Sequence, residues 1–421
     1  MARIALSDAP AAPSRFAFAG VTALFFGWGF ICANNDPLLA AARRIFGLSY
    51  TGALSTQIAS FLAFTLAALP AAALLARIGA LRTIWVGLAG TAAGCLVIQL
   101  ARWLPDFAVV FAAIFVLASG VTVLQVAANP LAAALGPPER SHFRLTLAHS
   151  FNALGVVCGV HFGARFVLAA PAFQENASSA ATATGVETIG SAYLIFAALL
   201  AGLAAITMLA RRAIASTEIP APPGAGGAFA ALRSRWALAG AVAIALYVGA
   251  EVSIGSTLIL YLSAPGALGV PLAEAGAIVA NLYWGGALAG RFIGSALLRI
   301  VPAARLLALA GIAAAALCGA SLLLPGAAGA WCLLAIGLFN SIMFPTIFGL
   351  TLERAEAPPA ATSGLLCLAI GPGAVLPLLA GALADRAGLG WAFGAPLLGY
   401  LWIAGFARMA LRAERTPLPA G

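Results

Sequence analysis

The chain contains about twelve apolar runs, each long enough to cross a lipid bilayer as a helix. A transmembrane helix needs about 20 predominantly apolar residues, and runs of this kind recur along the whole sequence between Arg, Pro and Gly residues. Of the 421 residues, 63% are hydrophobic and only 8% are charged, and the mean hydropathy is +1.03. A soluble core of this size could not cover so much apolar surface. The sequence therefore predicts an all-α membrane protein.

The apolar runs fall into two sets of six, numbered here as spans 1 to 12. The N-terminal set, spans 1 to 6, is predicted at residues 16–42, 50–75, 81–102, 107–135, 145–170 and 189–210. The C-terminal set, spans 7 to 12, is predicted at residues 237–262, 271–298, 304–324, 328–352, 360–383 and 390–411. The polar stretch between the sets is rich in Pro and Gly, which is typical of a flexible linker. We therefore predict a six-helix bundle at 1–210, a cytoplasmic linker at 211–235 and a second six-helix bundle at 236–421.

The arginines predict the orientation of the chain in the membrane. If both termini are cytoplasmic, sixteen of the 22 basic residues fall in inside loops and tails, five fall in outside loops, and Arg291 lies within span 8. The positive-inside rule favours this orientation. Because the arginines cluster between apolar runs and form no continuous stripe, the net charge of +9 gives no reason to expect a nucleic-acid partner.

Polar residues recur at matching places in the two sets, which is typical of a duplicated transporter with a central site. In spans 4 and 10, an amide stands five residues before a proline, Pro130 or Pro345. The matching pairs are Gln57 with Asn281, Gln125 with Asn340, and the acids Asp36 with Glu251.

The acids Asp36 and Glu251 are the candidate proton-coupling residues, because a carboxylate inside a span is costly and is a functional hypothesis by default. Either acid could bind and release a proton as the site alternates its exposure. Two structural alternatives stay open. In "ANNDP", Asp36 could cap a helix that begins at Pro37, and Glu251 could form a buried pair with Arg291.

A set of membrane amides forms the second candidate constellation. Amides offer donors and acceptors without the cost of a charge, which suits an uncharged, polyhydroxylated ligand. His149 shares a helix face with Asn152, and Trp284 offers an aromatic face to a sugar ring. The alternative for each residue is a hydrogen bond that holds two helices together. The candidate sugar contacts are Asn35, Gln57, Gln125, Asn129, His149, Asn152, Asn281, Trp284 and Asn340.

No motif for an enzyme or a bound cofactor is present in the sequence. It has no Walker loop, no dinucleotide fingerprint and no Ser/His/Asp arrangement, and its six cysteines fall inside apolar runs without metal-ligand spacing. We therefore expect no cofactor, no metal site and no enzymatic activity. Transport by such a chain has to be driven by a gradient.

Four segments of the sequence resemble one branch of the major facilitator superfamily, the fucose, galactose and glucose transporters. They are "VLASGVTVLQVAANPLAAALGPPERSHFRLTLAHSFNALG", "YVGAEVSIGSTLILYL", "YWGGALAGRFIGS" and "NSIMFPTIFGLTLE". The similarity is greatest to the bacterial glucose/galactose transporters. It implies twelve transmembrane helices in two pseudo-symmetric halves, alternating access, and import of a monosaccharide across the bacterial inner membrane, usually with protons. The Asn-Asp pair of the fucose–proton symporters is matched by Asn35 and Asp36, which implies a role in recognition or coupling.

The sequence departs from the fucose–proton symporters at two places and from the general superfamily signature at a third. Gln125 stands where those symporters carry a glutamate, and His149 stands where they carry a glutamine. The glucose/galactose transporters, by resemblance, accept Gln at the first position and carry the span 7 glutamate. The loop after span 2 reads "LLARIGALR", with Ala76 where the superfamily signature has an aspartate.

These observations predict a secondary active transporter that imports a neutral hexose or deoxyhexose by proton symport. A sodium-coupled or uncoupled sugar carrier and a major facilitator exporter remain alternatives. The expected partners are the sugar, the coupling ion (a proton, with sodium as the alternative) and the lipid bilayer. By resemblance, we expect a monomer in the bacterial inner membrane, with both termini cytoplasmic.

Overall fold

The computed structural model describes residues 15–34, 50–104, 106–168, 181–215, 229–324 and 326–415. Within these ranges, every regular element is a helix, which confirms the predicted all-α class. Nine of the described helical segments are long and apolar enough to cross a membrane, and the shorter apolar helix Phe16–Cys32 precedes them.

The helices follow the order of the predicted spans. In the N-terminal set they are Arg15–Cys32, Tyr50–Val97, Phe107–Ala134, Ser141–Phe162 and Ala181–Leu209. In the C-terminal set they are Arg235–Ser263, Leu272–Ile278, Gly285–Leu297, Ala303–Leu323, Ala327–Asn340, Met343–Arg354, Pro359–Leu368, Val375–Ala387 and Gly394–Arg415. The π-helical segments Gly163–Leu168 and Val279–Trp284 belong to spans 5 and 8. With these interruptions, the described helices are consistent with twelve spans.

Spans 2 and 3 form one continuous run of 48 residues that bends at Gly79. Gly79 has φ 81° and ψ 171°, a conformation that glycine adopts without the steric penalty of a Cβ atom. It lies in the "LLARIGALR" loop predicted between the two spans. Gly79 therefore forms the kink that separates the helices of spans 2 and 3.

The first helix of span 1 ends at Cys32, and residues 35–42 of the predicted span lie outside the described residues. The Nδ2 of Asn34 donates to the Phe30 carbonyl at 2.8 Å, while the Asn34 backbone N–H turns to Ile31 at 3.1 Å. The side chain thus takes the acceptor that the next helical bond would use, which is how Asn competes with a helix.

Three spans of the C-terminal set are interrupted. Span 8 contains the π-helical segment 279–284, and span 10 breaks at Ser341–Ile342. Span 11 is interrupted by the 3₁₀ segment Gly371–Ala374. In membrane proteins, irregular backbone is tolerated where it is buried in protein or lines a cavity. We therefore expect functional residues near the breaks in spans 8, 10 and 11.

The two sets contact each other at the end of the molecule that carries the loops 135–140 and 355–358, called here the closed end. Glu353 of span 10 accepts a hydrogen bond from Ser141 Oγ at 2.9 Å. The same Oε1 atom lies 3.0 Å from His142 Nε2. The arginine distribution predicts that this end is cytoplasmic.

Deeper in the molecule, spans 4 and 11 join the two sets. Ser363 Oγ donates to the carbonyl oxygen of Val126 at 2.7 Å, and both residues are buried. Farther from the closed end, the segments Leu272–Ile278, Ala327–Asn340 and Val375–Ala387 pack against other helices of the C-terminal set. The contacts between the sets thus close one end of the space between them.

Candidate functional site

A proline in span 10 leaves a backbone carbonyl to be satisfied by a side chain. Pro345 has no N–H to donate to the carbonyl of Ser341, four residues earlier. The Nε of Arg291 in span 8 donates to this oxygen at 3.2 Å. Gly290 permits the close approach, because a Cβ there would lie only 2.5 Å from the carbonyl oxygen of Leu338. Arg291 is thereby held at the break in span 10.

Glu251 in span 7 lies within reach of the same arginine. Tyr247, one helical turn earlier, donates from Oη to Glu251 Oε1 at 2.8 Å. Arg291 Nη2 lies 3.9 Å from the same oxygen, and the Arg291 and Glu251 side chains are 14% and 16% exposed. At 3.9 Å the two charges attract each other without a direct hydrogen bond. The pair considered from the sequence is therefore present, but the stronger contact of Glu251 is with Tyr247.

Two further residues extend this polar network across spans 8 and 10. Asn340, which is 1% exposed, donates from Nδ2 to Tyr283 Oη at 2.9 Å. Tyr283 in turn donates from Oη to the carbonyl oxygen of Glu251 at 3.4 Å. Spans 7, 8 and 10 thus share one buried network, which we call the Glu251 network: Tyr247, Glu251, Tyr283, Arg291 and Asn340.

The π-helical segment of span 8 separates residues that the sequence grouped together. Tyr283 is buried in the Glu251 network, whereas Asn281 is exposed and Trp284 is 41% exposed. Single π-helical turns in α-helices frequently occur at functional sites. Asn281 and Trp284 therefore lie next to the network, whose hydrogen bonds are made by Tyr283 and Asn340.

In the N-terminal set, Asn129 of span 4 and His149 of span 5 form a buried pair. Asn129 is 0% exposed and His149 is 7% exposed. His149 Nε2 lies 3.1 Å from Asn129 Oδ1, so the imidazole is the donor when its proton is on Nε2. The Nδ2 atom of Asn129 has no hydrogen-bond partner among the described residues. A buried donor in this state is costly unless a ligand or water meets it.

Asn152 forms a hydrogen bond between helices. Its Nδ2 atom donates to the carbonyl oxygen of Phe25 in span 1 at 3.0 Å. At least one hydrogen bond of Asn152 therefore holds two helices together, which is the structural alternative to sugar binding predicted for these amides. His149 and Asn152 are both on span 5, but His149 bonds to span 4 and Asn152 bonds to span 1.

Phe344 packs near polar residues of both sets. Its ring centroid is 5.2 Å from that of His149 and 6.2 Å from that of Tyr247. In the N-terminal set, His149 also packs edge-on against Phe25 at 5.0 Å. The Asn129–His149 pair and the Glu251 network therefore both contact one aromatic side chain.

The remaining predicted site residues are less completely described. Asn35 and Asp36 lie outside the described residues, and Gln57 lies in the helix Tyr50–Val97 without a described side chain. Gln125 is half-buried in span 4. The structure thus brings together Glu251 with Asn340, and Asn129 with His149. Among the other described candidates, Trp284 contacts the Glu251 network through the ring of Tyr283, at 5.1 Å between centroids.

Sequence reasoning missed several residues of the site. Tyr247 could have been found, because it stands one helical turn before Glu251 and a buried carboxylate needs a donor. Pro345 was noted, but the consequence that Ser341 would need an external donor was not drawn. Phe344 carried no signal, because one phenylalanine among many apolar residues looks like ordinary packing.

Among the described residues, no group of three or more His, Cys, Asp or Glu side chains could hold a metal ion. The site therefore offers hydrogen-bond donors, acceptors and one close pair of opposite charges. Such a site can bind a polar uncharged molecule and can exchange a proton.

Comparison with known proteins gives concordant matches over nearly the whole chain. The family model described as Major Facilitator Superfamily matches residues 16–366. The glucose/galactose transporter of Brucella abortus is 41% identical over 391 residues, which are 92% of this chain and 92% of that protein. The putative glucose/galactose transporter of Helicobacter pylori is 32% identical over 406 residues, which are 95% of this chain and 98% of that protein.

Among solved structures, a similar one is that of FucP, the fucose:proton symporter of Escherichia coli, in the outward conformation. It aligns with a TM-score of 0.83 and 27% identity, and the alignment covers 93% of this chain and 98% of that chain.

Proposed function

The chain belongs to the major facilitator superfamily of membrane transporters, and from this premise we propose that it imports a neutral hexose or deoxyhexose by proton symport and alternating access. As a member of that superfamily it is a multi-pass membrane transporter, not an enzyme. Two relatives named as glucose/galactose transporters, one of them putatively, support a hexose as the substrate. The similarity to a fucose:proton symporter supports a proton as the coupling ion.

One observation carries the proposal: polar groups of both sets meet around Phe344. His149 of the Asn129–His149 pair and Tyr247 of the Glu251 network both pack near this ring. A ligand between the sets would contact both groups, as a substrate has to when two rigid bodies rock around it. The helix that carries Phe344 also carries Glu353, which contacts Ser141 and His142 at the closed end.

In this proposal the sugar is bound mainly by neutral groups. Asn129 is the best-supported contact, because its buried Nδ2 has a proton to donate and no described acceptor. His149 holds the other end of that amide. We assign the further sugar contacts to Asn35, Gln57, Gln125, Asn152, Asn281, Trp284 and Asn340.

The proposed coupling residues are Asp36 and Glu251. Glu251 has the contacts that a proton carrier needs, with a phenol that donates to its carboxylate and a guanidinium 3.9 Å away. The proton would bind a carboxylate oxygen from the outside and leave to water on the inside. No other bond forms or breaks in this step.

We further propose that residues 1–210 and 236–421 are the two bodies that rock, joined by the linker 211–235. In this arrangement both termini are cytoplasmic, the protein is a monomer in the bacterial inner membrane, and the closed end faces the cytoplasm. The outward conformation of the similar symporter structure supports this assignment of the closed end.

The test of substrate class is sugar exchange in proteoliposomes loaded with unlabelled sugar. The purified protein should exchange labelled glucose or galactose, in a panel that also contains mannose, fucose and N-acetylglucosamine. Asn129→Ala should reduce the apparent affinity about tenfold, as expected when one good hydrogen bond to the ligand is lost.

Ser119→Ala in the same span is the matched control, because Ser119 Oγ only returns to the Phe115 carbonyl of its own helix. Failure of the unmodified protein to exchange any sugar of the panel contradicts the proposed substrate. A sodium-coupled or uncoupled carrier and an exporter would all exchange sugar, so these rivals are separated by the gradient that drives accumulation.

A further inference from the structure

We infer that Arg291 is a positioning residue that links the charge of Glu251 to the break in span 10, an inference that rests on the proposed proton coupling. The guanidinium of Arg291 contacts both Ser341 and Glu251. Its Nε donates to the Ser341 carbonyl at 3.2 Å, and its Nη2 lies 3.9 Å from Glu251 Oε1. The acid and the break are thus connected through a single rigid, planar group.

The geometry of arginine explains why this connection transmits position as well as charge. The guanidinium presents its N–H groups in a fixed planar fork, so a bond at Nε fixes the direction of the nitrogens beyond it. Because Pro345 has no N–H, the Ser341 carbonyl lacks its helical donor and can accept from Arg291. The contact to Glu251 is longer, so it depends more on charge than on hydrogen-bond geometry.

The segment that begins at the break reaches both the ligand site and the closed end. The helix Met343–Arg354 carries Phe344, which packs on His149 of the other set. The same helix carries Glu353, which contacts Ser141 and His142. A shift of this helix therefore changes the site and the closing contact together.

Among the described residues, few titratable or charged groups face Glu251. Tyr247 on its own span and Tyr283 on span 8 lie in its network with Arg291. Tyr400 of span 12 interacts electrostatically with Tyr247 and Tyr283, and His149 of the other set interacts with Arg291. Arg291 is the permanent charge in this group, because a guanidinium is not deprotonated in proteins.

In this inference, one proton on Glu251 changes the contacts of Arg291. When Glu251 is ionised, Arg291 is attracted to both Glu251 and Ser341. When a proton binds the carboxylate, the attraction to Glu251 is lost and Arg291 retains only the carbonyl of the break. The helix Met343–Arg354 is then free to move relative to span 7.

The first test compares gradient-driven accumulation with sugar exchange for three variants. Arg291→Gln removes the charge, Arg291→Lys keeps the charge without the Nε donor, and Pro345→Ala restores the N–H that competes for Ser341. All three should lower the accumulation ratio by about fivefold or more relative to each variant's own rate of sugar exchange, the size of an ordinary coupling between sites.

The matched control is Arg305→Gln, which removes an exposed arginine at the start of span 9 and should accumulate sugar like the unmodified protein. Full accumulation by Arg291→Lys or by Pro345→Ala would overturn the link to the break. Full accumulation by Arg291→Gln would overturn the inference entirely. If the unmodified protein exchanges sugar but does not accumulate it with a proton gradient, the proposed proton coupling fails instead.

The second test needs no sugar, so it decides the charge link separately. Melting temperatures of the detergent-purified Arg291→Gln, Glu251→Gln and double variants form a double-mutant cycle. At about pH 8, Arg291→Gln should lower Tm by roughly 5 °C, and adding Glu251→Gln should restore most of it. Additive shifts would overturn the inference.

Discussion

Spans 4 and 10 contain the same sequence pattern, an amide five residues before a proline, yet the two prolines have different effects. Pro130 lies inside the continuous helix Phe107–Ala134, whereas Pro345 follows a break at Ser341–Ile342. In each span the proline leaves the carbonyl four residues earlier without its helical donor. That carbonyl belongs to Val126 in span 4 and to Ser341 in span 10.

The difference lies in the donor that satisfies each carbonyl. Val126 accepts from Ser363 of span 11, which belongs to the other set. Ser341 accepts from Arg291 of span 8, in its own set. If the two sets rock as proposed, the bond to Val126 breaks whenever the closed end opens, whereas the bond to Ser341 can persist. The same motif thus serves a contact between the bodies in one half and a link within a body in the other.

The largest effect is expected from blocking the approach of span 8 to span 10. In Gly290→Val, the Cβ alone would lie 2.5 Å from the Leu338 carbonyl and 2.6 Å from Ser341 Oγ. Span 10 has to move away, and Arg291 loses Ser341. We expect transport to be lost and Tm to fall by roughly 5 °C or more. The control Gly286→Ala meets its nearest atom, the Leu338 backbone nitrogen, at 3.6 Å and should behave like the unmodified protein.

An intermediate effect is expected from removing the bond between the sets. Ser363→Ala leaves the Val126 carbonyl without its donor only when the closed end is closed. Loss of one buried hydrogen bond of about 1 kcal/mol should favour the state open at that end by about fivefold. Double electron–electron resonance measures this population through the distance between spin labels at the exposed positions Glu139 and Glu356, in a cysteine-free background.

The control for that experiment is Ser321→Ala, because Ser321 Oγ donates only to Cys318 of its own helix at 2.7 Å. Its distance distribution should match that of the parent protein. An unchanged distribution in Ser363→Ala would show that the bond to Val126 does not stabilise the closed end.

The smallest effect is expected at the edge of the closed end. Glu353→Gln keeps an acceptor for Ser141 but loses the charge that attracts His142 at 3.0 Å. Because the Glu353 side chain is 41% exposed, the contact should contribute about 0.5 kcal/mol, which is about a twofold change in population. The same spin-label pair measures it, and a shift larger than that of Ser363→Ala would reverse the proposed ranking.

The fold could be predicted from the sequence because apolar length and arginine placement are properties of single segments. The order of the helices, the turn between spans 2 and 3 and the separation into two sets of runs all follow from such local patterns. The end of the first helix in span 1 did not follow from such a pattern, because it depends on the Asn34 side chain competing for the Phe30 carbonyl. The position of a single hydrogen bond decided whether the helix ended at Cys32.

The site could be predicted only in part, because its chemistry depends on contacts between distant segments. Asn129 and Asn152 are both membrane amides, but one has a free donor and the other bonds to the Phe25 carbonyl. Arg291 and Pro345 were both visible in the sequence. Arg291 supplies the hydrogen-bond donor that Pro345 makes necessary. This relation depends on the close packing at Gly290, which a linear sequence pattern does not show.

The most direct test of the account is uptake of radiolabelled glucose or galactose into proteoliposomes in sodium-free buffer, with and without an inward proton gradient. We predict accumulation above the outside concentration only when the gradient is present. Equilibration that ignores the gradient would contradict proton symport, and a subsequent rise on adding a sodium gradient would assign the coupling to sodium.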